Sequence, residues 1–455
     1  MDSSKPAYEP PELERPATAS PTEDELEHEV PGAVENKRDP YLALRFRDYR
    51  LYAIGGMIGT ISGQMQSVAV SYEIYERVRE TETVAKAVYA LGIVGLVQAI
   101  PVIALMLLTG QVADRVSRRT IVLCSVLVLA LSSLGLAIAS AQRAPIIWMY
   151  GALLLAGFAR AFEGPARQAF ISQLVPEEAL ANAVTWNSSR WQLASMIGPA
   201  LGGLTIASFG SATPVFWIDT VALLITACFV AMVRGRPQTI VRESVTMETV
   251  LAGWKFVRQT PLILATITLD MCAVFLGGAT TLLPAYAREI LHVDASGLGW
   301  LRAAPAIGAL MMAATIAYSP PMRRAGRALL WAVAGFGVAT IVFGLSRNFW
   351  LSLAALVAIG ALDNISVVVR HTLVQILTPD AMRGRVSAIN SVFIGTSNEL
   401  GGFESGYVAS LFGPVISVVS GGIGTVVTVV GIAWIWPSVR ELDTLESAAA
   451  QSKSV

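Results

Sequence analysis

Residues 157–203 read GFARAFEGPARQAFISQLVPEEALANAVTWNSSRWQLASMIGPALGG, and residues 360–406 read GALDNISVVVRHTLVQILTPDAMRGRVSAINSVFIGTSNELGGFESG. At a constant offset of 203, Gly157 falls on Gly360, Arg167 on Arg370 and Pro176 on Pro379. Asn187 and Ser188 fall on Asn390 and Ser391, Gly198 on Gly401 and Gly203 on Gly406. A gapless run of such matches in apolar sequence marks an internal duplication, and it decides the fold.

Outward from the repeat, long apolar runs alternate with short charged loops, at about 51–75, 85–111, 120–140, 145–171, 181–209, 212–233, 262–287, 295–318, 328–346, 349–377, 385–411 and 414–436. Each approaches or exceeds the ~20 residues that carry a helix across ~30 Å of hydrocarbon. Prolines within them, such as Pro101, Pro199, Pro284 and Pro305, are tolerated where neighbouring helices re-satisfy the backbone. Composition agrees: of 455 residues 54% are hydrophobic and 15% charged, too few charges to cover soluble domains. The expected fold is an all-α polytopic membrane protein, twelve transmembrane helices in two pseudo-symmetric six-helix bundles. Two such halves, related by an axis along the membrane normal, are the build of secondary transporters with a midplane cavity.

The formal net charge of zero excludes a generally basic nucleic-acid binder, but it sums unequal parts. Residues 1–40 are rich in Pro, Glu, Ser and Thr and read as a disordered acidic tail with no secretory signal pattern. The domains expected next are 41–233, an N-terminal bundle; 234–260, a linker loop; 261–436, a C-terminal bundle; and 437–455, a second tail. Lys37, Arg38, Arg45, Arg47, Arg50, Arg115, Arg118, Arg119, Arg234, Arg236, Arg242, Lys255, Arg258, Arg323, Arg324, Arg327, Arg383, Arg385 and Arg440 load one side, whereas Arg77, Arg79, Lys86, Arg143, Arg288 and Arg347 lie on the other. The positive-inside rule then puts both termini in the cytoplasm. Cys124, Cys228 and Cys272 sit inside spans without ligand spacing, so neither disulfides, a metal site nor a cofactor is expected.

The loop Gly110-Gln-Val-Ala-Asp114-Arg115-Val-Ser-Arg118-Arg119 resembles the GxxxDRxGRR loop of the major facilitator superfamily, with Ser117 where the family has Gly. Arg160-Ala-Phe-Glu163-Gly164-Pro165-Ala166 is similar to the RxxQGxGA motif of proton-coupled drug antiporters, with Glu163 in place of Gln. Gly198-Pro199-Ala-Leu-Gly202-Gly203 matches the GPxxGG antiporter motif. The phrases at 47–52 and 165–169 resemble the branch that holds enterobactin-type siderophore exporters and macrolide efflux pumps. The resemblance covers residues 41–436. It implies a bacterial inner-membrane, multi-pass, monomeric exporter whose partners are a small amphipathic molecule, protons and the lipid bilayer.

Residue by residue, Gly110, Asp114, Arg115, Arg118, Arg119, Arg167 and Arg370 form an expected cytoplasmic gate, with Asp114 bonding either Arg167 or the amide ends near Arg385. Ionisable groups deep in spans cost at least ~2.5–3.5 kcal/mol at the bilayer centre. Arg160, Glu163, Asp270, Asp363 and Glu399 are therefore the candidates for proton coupling; Arg160 and Asp363 share a repeat position with opposite charge, which leaves open a pair across the interface or coupling through Glu163 beside Arg160. Arg190, Asp219, Arg302 and Glu404 complete the intramembrane set. Gly198, Pro199, Gly202 and Gly203 give a smooth, bent helix face. Gln64, Gln66, Tyr72, Asn187, Trp191, Gln192, Asn364 and Asn398 are expected to line a cavity for an amphipathic organic molecule. No nucleophile–base set suggests an enzyme. Uptake or uniport of a metabolite or lysolipid, or a non-transporting receptor, are the competing readings.

Overall fold

The computed structural model describes residues 39–234, 247–319 and 324–442. The acidic tail, most of the second tail and part of the linker lie outside the described residues. Caps fix where the helices start. Thr83 opens α2 (Val84–Arg115), Ser117 opens α3 (Arg118–Ala141), Asp294 opens α10 (Ala295–Tyr318) and Asn348 opens α12 (Phe349–Leu377), each side chain accepting from a first-turn amide. Gly210, at φ +64, ends α5 (Glu177–Phe209), and Pro414 starts α14 (Pro414–Ile435) directly after Gly413 at φ +92.

The remaining elements are α1 (Arg47–Thr81), α4 (Ile146–Leu174), α6 (Thr213–Met232), α7 (Met247–Gln259), α8 (Pro261–Leu276), α9 (Leu283–Ala285), α11 (Ala325–Leu345), α13 (Asp380–Phe412) and α15 (Pro437–Glu441). Ten segments are long and apolar enough to cross a bilayer among the described residues. The other two expected spans, α1 and α13, are 35 and 33 residues long but more polar, because they carry Gln64, Gln66, Glu73 and Glu76, and Asn398, Glu399 and Glu404. Both are wrapped by neighbours: α1 packs on α5 and α6, and α13 on α2, α8 and α14. Polar side chains are affordable there because helices, not lipid, surround them.

One span is broken. Past α8 the chain turns at Gly277–Gly278, runs through a 3₁₀ turn at Ala279–Leu282 and α9, and closes with a π turn at Tyr286–Ile290. A Cβ on Gly278 would lie 2.7 Å from the Gly401 carbonyl of α13, so the break is also a close crossing. Non-helical backbone at membrane depth survives only where protein or a cavity covers it.

Helices α1–α6 pack among themselves, as do α8–α14, and α2 against α13 and α5 against α10 join the two sets. We call the end where α1 starts the terminal end, and the end where α1 gives way to α2 the far end. The described contacts between the halves gather toward the far end. There Gly92 of α2 meets Gly406 of α13, and Gly203 of α5 meets Gly299 of α10; a Cβ on Gly406 would sit 2.7 Å from the Gly92 Cα, and one on Gly299 3.0 Å from the Gly203 Cα. Small residues let these backbones touch, which in lipid supplies the packing energy that water exclusion cannot. Gly337 instead packs within one half, against the Gly422 carbonyl of α14.

Overpacking costs about 1–3 kcal/mol, so Gly299→Val should pry the seam apart rather than merely loosen a core. With Cys124, Cys228 and Cys272 replaced by Ser, maleimide labelling of Ala207→Cys at the far end should rise several-fold in Gly299→Val. Gly337→Val should lower the melting temperature without raising labelling. Equal labelling in the two variants would contradict a seam at these glycines.

Candidate functional site

The middle of the molecule holds a charge cluster drawn from both halves. Arg302 of α10 donates from Nη1 to the Thr280 carbonyl at 2.7 Å and from Nη2 to Ser67 Oγ of α1 at 3.2 Å. The Thr280 carbonyl lies in the broken span, so the break supplies the acceptor that anchors this guanidinium. Glu399 of α13 lies in the field of both Arg160 and Arg302, and its own carbonyl faces Gly95 of α2 across the seam. Arg160 donates to Gln98 of α2. One carboxylate thus feels two guanidiniums, one contributed by each half, without an ion pair to either among the described residues.

Toward the terminal end the first half carries half-buried Arg167 and buried Arg190, and the second half buried Arg370. Arg167 donates from Nε to the Tyr52 hydroxyl at 3.1 Å and pairs with Glu163 at 3.3 Å, one turn back on α4. Arg190 of α5 lies over the Tyr52 ring, 5.4 Å from its centroid, and donates to Asn187 at 2.5 Å. Tyr52 thus joins both cations through its hydroxyl and its π face. At the repeat-equivalent position Arg370 forms a buried ion pair with Asp270 of α8. Asp270, Asp363 and Ser366 line one cavity of about 10 Å³ between α8, α11 and α12. That is room for a single water, enough to connect two carboxyls.

At the far end Arg288 pairs with Glu76 of α1, Arg79 reaches Glu289 at 2.9 Å, and the Tyr75 hydroxyl reaches Glu289 at 3.1 Å. These bonds tie α1 to the tail of the broken span. Beside them opens a cavity of about 320 Å³ lined by Tyr72, Glu76, Ile206, Arg288, Asp294 and Leu298. The Ser296 hydroxyl and the Gly297 amide, which donate to Asp294 at 2.6 Å and 3.0 Å, hold its carboxyl below the usual carboxylate range. The rim of this cavity therefore keeps a fixed negative charge.

Several expected positions have different neighbours from those the sequence suggested. Arg160 bonds Gln98, not Asp363. Glu163 serves Arg167, not Arg160. The surroundings of Gly110 and the side chains of Asp114, Arg115 and Arg385 lie outside what is described, whereas Arg118 donates to the Ala169 carbonyl at 3.0 Å and Arg119 to the Ala231 carbonyl of α6. In the GPxxGG stretch, Gly198 abuts Gln64 and Gly202 abuts Met65, both on α1, while Gly203 crosses to α10 and Pro199 is buried between.

The amide candidates divide. Gln64 bridges to Ser195 at 3.2 Å, Asn187 holds Arg190, and Gln66 is buried. Trp191 and Asn398 are exposed, Gln192 is half-buried, and Tyr72 lines the far-end cavity. Asn364 keeps a buried carbonyl oxygen that accepts no hydrogen bond. Sequence reasoning missed Gln98, Tyr52 and the Glu76–Arg288 and Arg79–Glu289 pairs. Glu76 and Glu289 sit where loops begin, and nothing in a single sequence separates a cross-half ion pair from a solvated charge.

A family profile described as transmembrane secretion effector matches residues 39–454. The chain is 26% identical over 380 residues to the enterobactin exporter EntS of Citrobacter koseri, spanning 83% of this chain and 89% of that protein. It is 25% identical over 383 residues to EntS of Escherichia coli O157:H7, with the same coverage. Among solved structures, a bacterial homologue of the human lysosomal transporter Spinster, inward-facing and occupied, superposes with a TM-score of 0.65 at 15% identity, over 90% of this chain and 98% of that one. The nucleoside transporter NupG superposes with a TM-score of 0.67 at 13% identity, over 86% and 100%.

The Asp270–Arg370 pair yields a prediction of its own. Removing one partner of a buried ion pair leaves the other uncompensated, at a cost of about 3–5 kcal/mol, whereas replacing both by apolar groups is often neutral. Asp270→Asn should therefore lower the melting temperature markedly, and Asp270→Leu combined with Arg370→Met should recover most of the loss. A double variant no more stable than Asp270→Asn would contradict the pairing.

Proposed function

We propose, on the premise that this chain belongs to the transmembrane secretion effector family of the major facilitator superfamily, that it exports an amphipathic small molecule in exchange for protons. The observation that carries the reading is the central cluster: a carboxylate on α13 in the field of Arg302 of its own half and of Arg160 of the other. When the halves rock, the distance from Glu399 to Arg160 changes, while Arg302 keeps the Thr280 carbonyl and parts from Ser67 of the other half. A carboxylate that gains and loses a neighbouring cation binds and releases a proton in step with the motion.

The loading of Lys and Arg on one side of the sequence supports a cytoplasmic terminal end. The far-end seam, with Arg288–Glu76 and Arg79–Glu289 made, then corresponds to an inward-facing state. Cargo enters from the terminal end and leaves once these pairs part. Arg167–Tyr52 and Asp270–Arg370, each joining two helices of one half, hold their own halves rigid during the swing, and Asp363 is a second proton acceptor through the water-sized cavity beside Asp270. Likeness to enterobactin exporters supports a siderophore-like cargo, with macrolide-like drugs as the neighbouring class. The driving force suffices: ~100 mV is worth about 2.3 kcal/mol per proton and one pH unit about 1.4 kcal/mol. Together they sustain a gradient of roughly a few hundredfold for a neutral cargo.

The test is uptake into inside-out vesicles with an acidic lumen, offered catecholate siderophores and macrolides, with and without a protonophore. Accumulation that collapses with the protonophore is expected; accumulation indifferent to it would reject antiport. Glu399→Gln should lose at least tenfold of the pH-driven accumulation while still binding cargo. Full accumulation by that variant would remove coupling from Glu399.

A further inference from the structure

Asp219 is the buried charge that none of this machinery uses. It lies at the middle of α6, 1% exposed, on the face packed against α1 and α3. Neither carboxyl oxygen accepts a hydrogen bond, and none of the described ion pairs includes it. The hydroxyls of Ser62 on α1 and Ser133 on α3 border it, and Arg160 acts on it only through its field.

Those two hydroxyls are already committed as donors. Ser133 gives its proton to the Phe216 carbonyl at 3.0 Å and Ser62 to the Gly59 carbonyl at 3.2 Å. With their protons placed on those carbonyls, both oxygens keep lone pairs that accept from a carboxylic acid, as a hydroxyl offers one proton and two acceptor positions. An anion here would face acceptors in a medium of low dielectric without a counter-charge, which costs far more than leaving a neutral polar group there. A carboxylic acid has the one missing element, an O–H aimed at a serine oxygen.

The geometry points to Asp219 as a proton-binding site inside the N-terminal helices, separate from the central cluster and occupied in this far-end-sealed state. Nearer the far end of the same helix, a separate set of polar groups reaches the rim. Thr213 is 2.6 Å from the Ser140 hydroxyl, which lies 2.8 Å from Glu73, and Glu73 pairs with Arg77 at the rim. The charged or titratable groups facing Asp219 are thus Arg160 from α4 and, three turns along α1, the Glu73–Arg77 pair. Ser133 and Ser62 are neutral, and α6 adds only Thr220, which bonds the Phe216 carbonyl at 2.8 Å. This inference concerns the resting protein and holds whether or not Glu399 couples protons to cargo.

Infrared difference spectroscopy of the full chain in nanodiscs at neutral pH, wild type minus Asp219→Asn, reads the site directly without cargo. The wild type should carry a protonated-carboxyl C=O band that the variant lacks and that moves in D₂O. Loss of carboxylate-stretch bands instead would overturn the inference. So would NaCl, against equimolar choline chloride, raising the melting temperature of the wild type and not of Asp219→Asn, because the occupant would then be a metal cation. If Asp219→Asn does not fold, Asp219→Glu takes its place and should displace the acid band; an unmoved band would overturn the inference equally.

Discussion

A charge inside ~30 Å of hydrocarbon must find an opposite charge, a hydrogen-bonding partner or water, and each failure costs several kcal/mol. The structure is organised around that constraint. Arg370 is matched by Asp270, Arg167 by Glu163 and Tyr52, Arg190 by Tyr52 and Asn187, and Arg302 by a carbonyl freed where a helix breaks. What distinguishes the central cluster is that its neutralisation spans two bodies. Pairs within one half survive any motion between halves, so they stiffen; Glu399, in the field of Arg160 and Arg302, has surroundings that motion rewrites.

The glycine seam and the charge pairs divide the work at the far end. Gly92, Gly406, Gly203 and Gly299 bring backbones into contact, which gives dispersion energy but no direction. Glu76–Arg288 and Arg79–Glu289 add directional bonds between the halves there. The broken span belongs to both systems: its glycine turn lies against α13, and its π-turned tail supplies Arg288 and Glu289. A continuous helix could not place Thr280 under Arg302 and Arg288 beside Glu76 from one segment.

Much of this was legible in the sequence, and the reason is periodicity. Apolar runs and the 203-residue offset report what every helix must do, face lipid and repeat. Arg167 and Arg370 match in that offset, and in the structure Arg370 is buried and Arg167 half-buried. Their partners differ, Tyr52 and Glu163 for one and Asp270 for the other, because the partner helices α1 and α8 have diverged. Pairing depends on how each helix is rotated about its axis and where it crosses its neighbours, and neither is written in spacing. Arg160 and Asp363 illustrate this: equivalent in the repeat, opposite in charge, and served by different neighbours. Likewise α1 and α13 read as spans but are more polar than the other ten. Only their central positions explain why they can carry glutamates and amides.

The account turns on the two halves rocking as bodies, so that one end closes as the other opens. Spin labels on repeat-equivalent exposed positions read both ends in one protein: Ser172 with Gln375 at the terminal ends of α4 and α12, and Ile147 with Trp350 at their far ends. Electron–electron distance measurements in nanodiscs, comparing resting protein with protein given cargo and an acidic medium, test the claim directly. The account predicts that the 172–375 distance shortens while the 147–350 distance lengthens. Distances that stay fixed, or that change in the same direction at both ends, would contradict it.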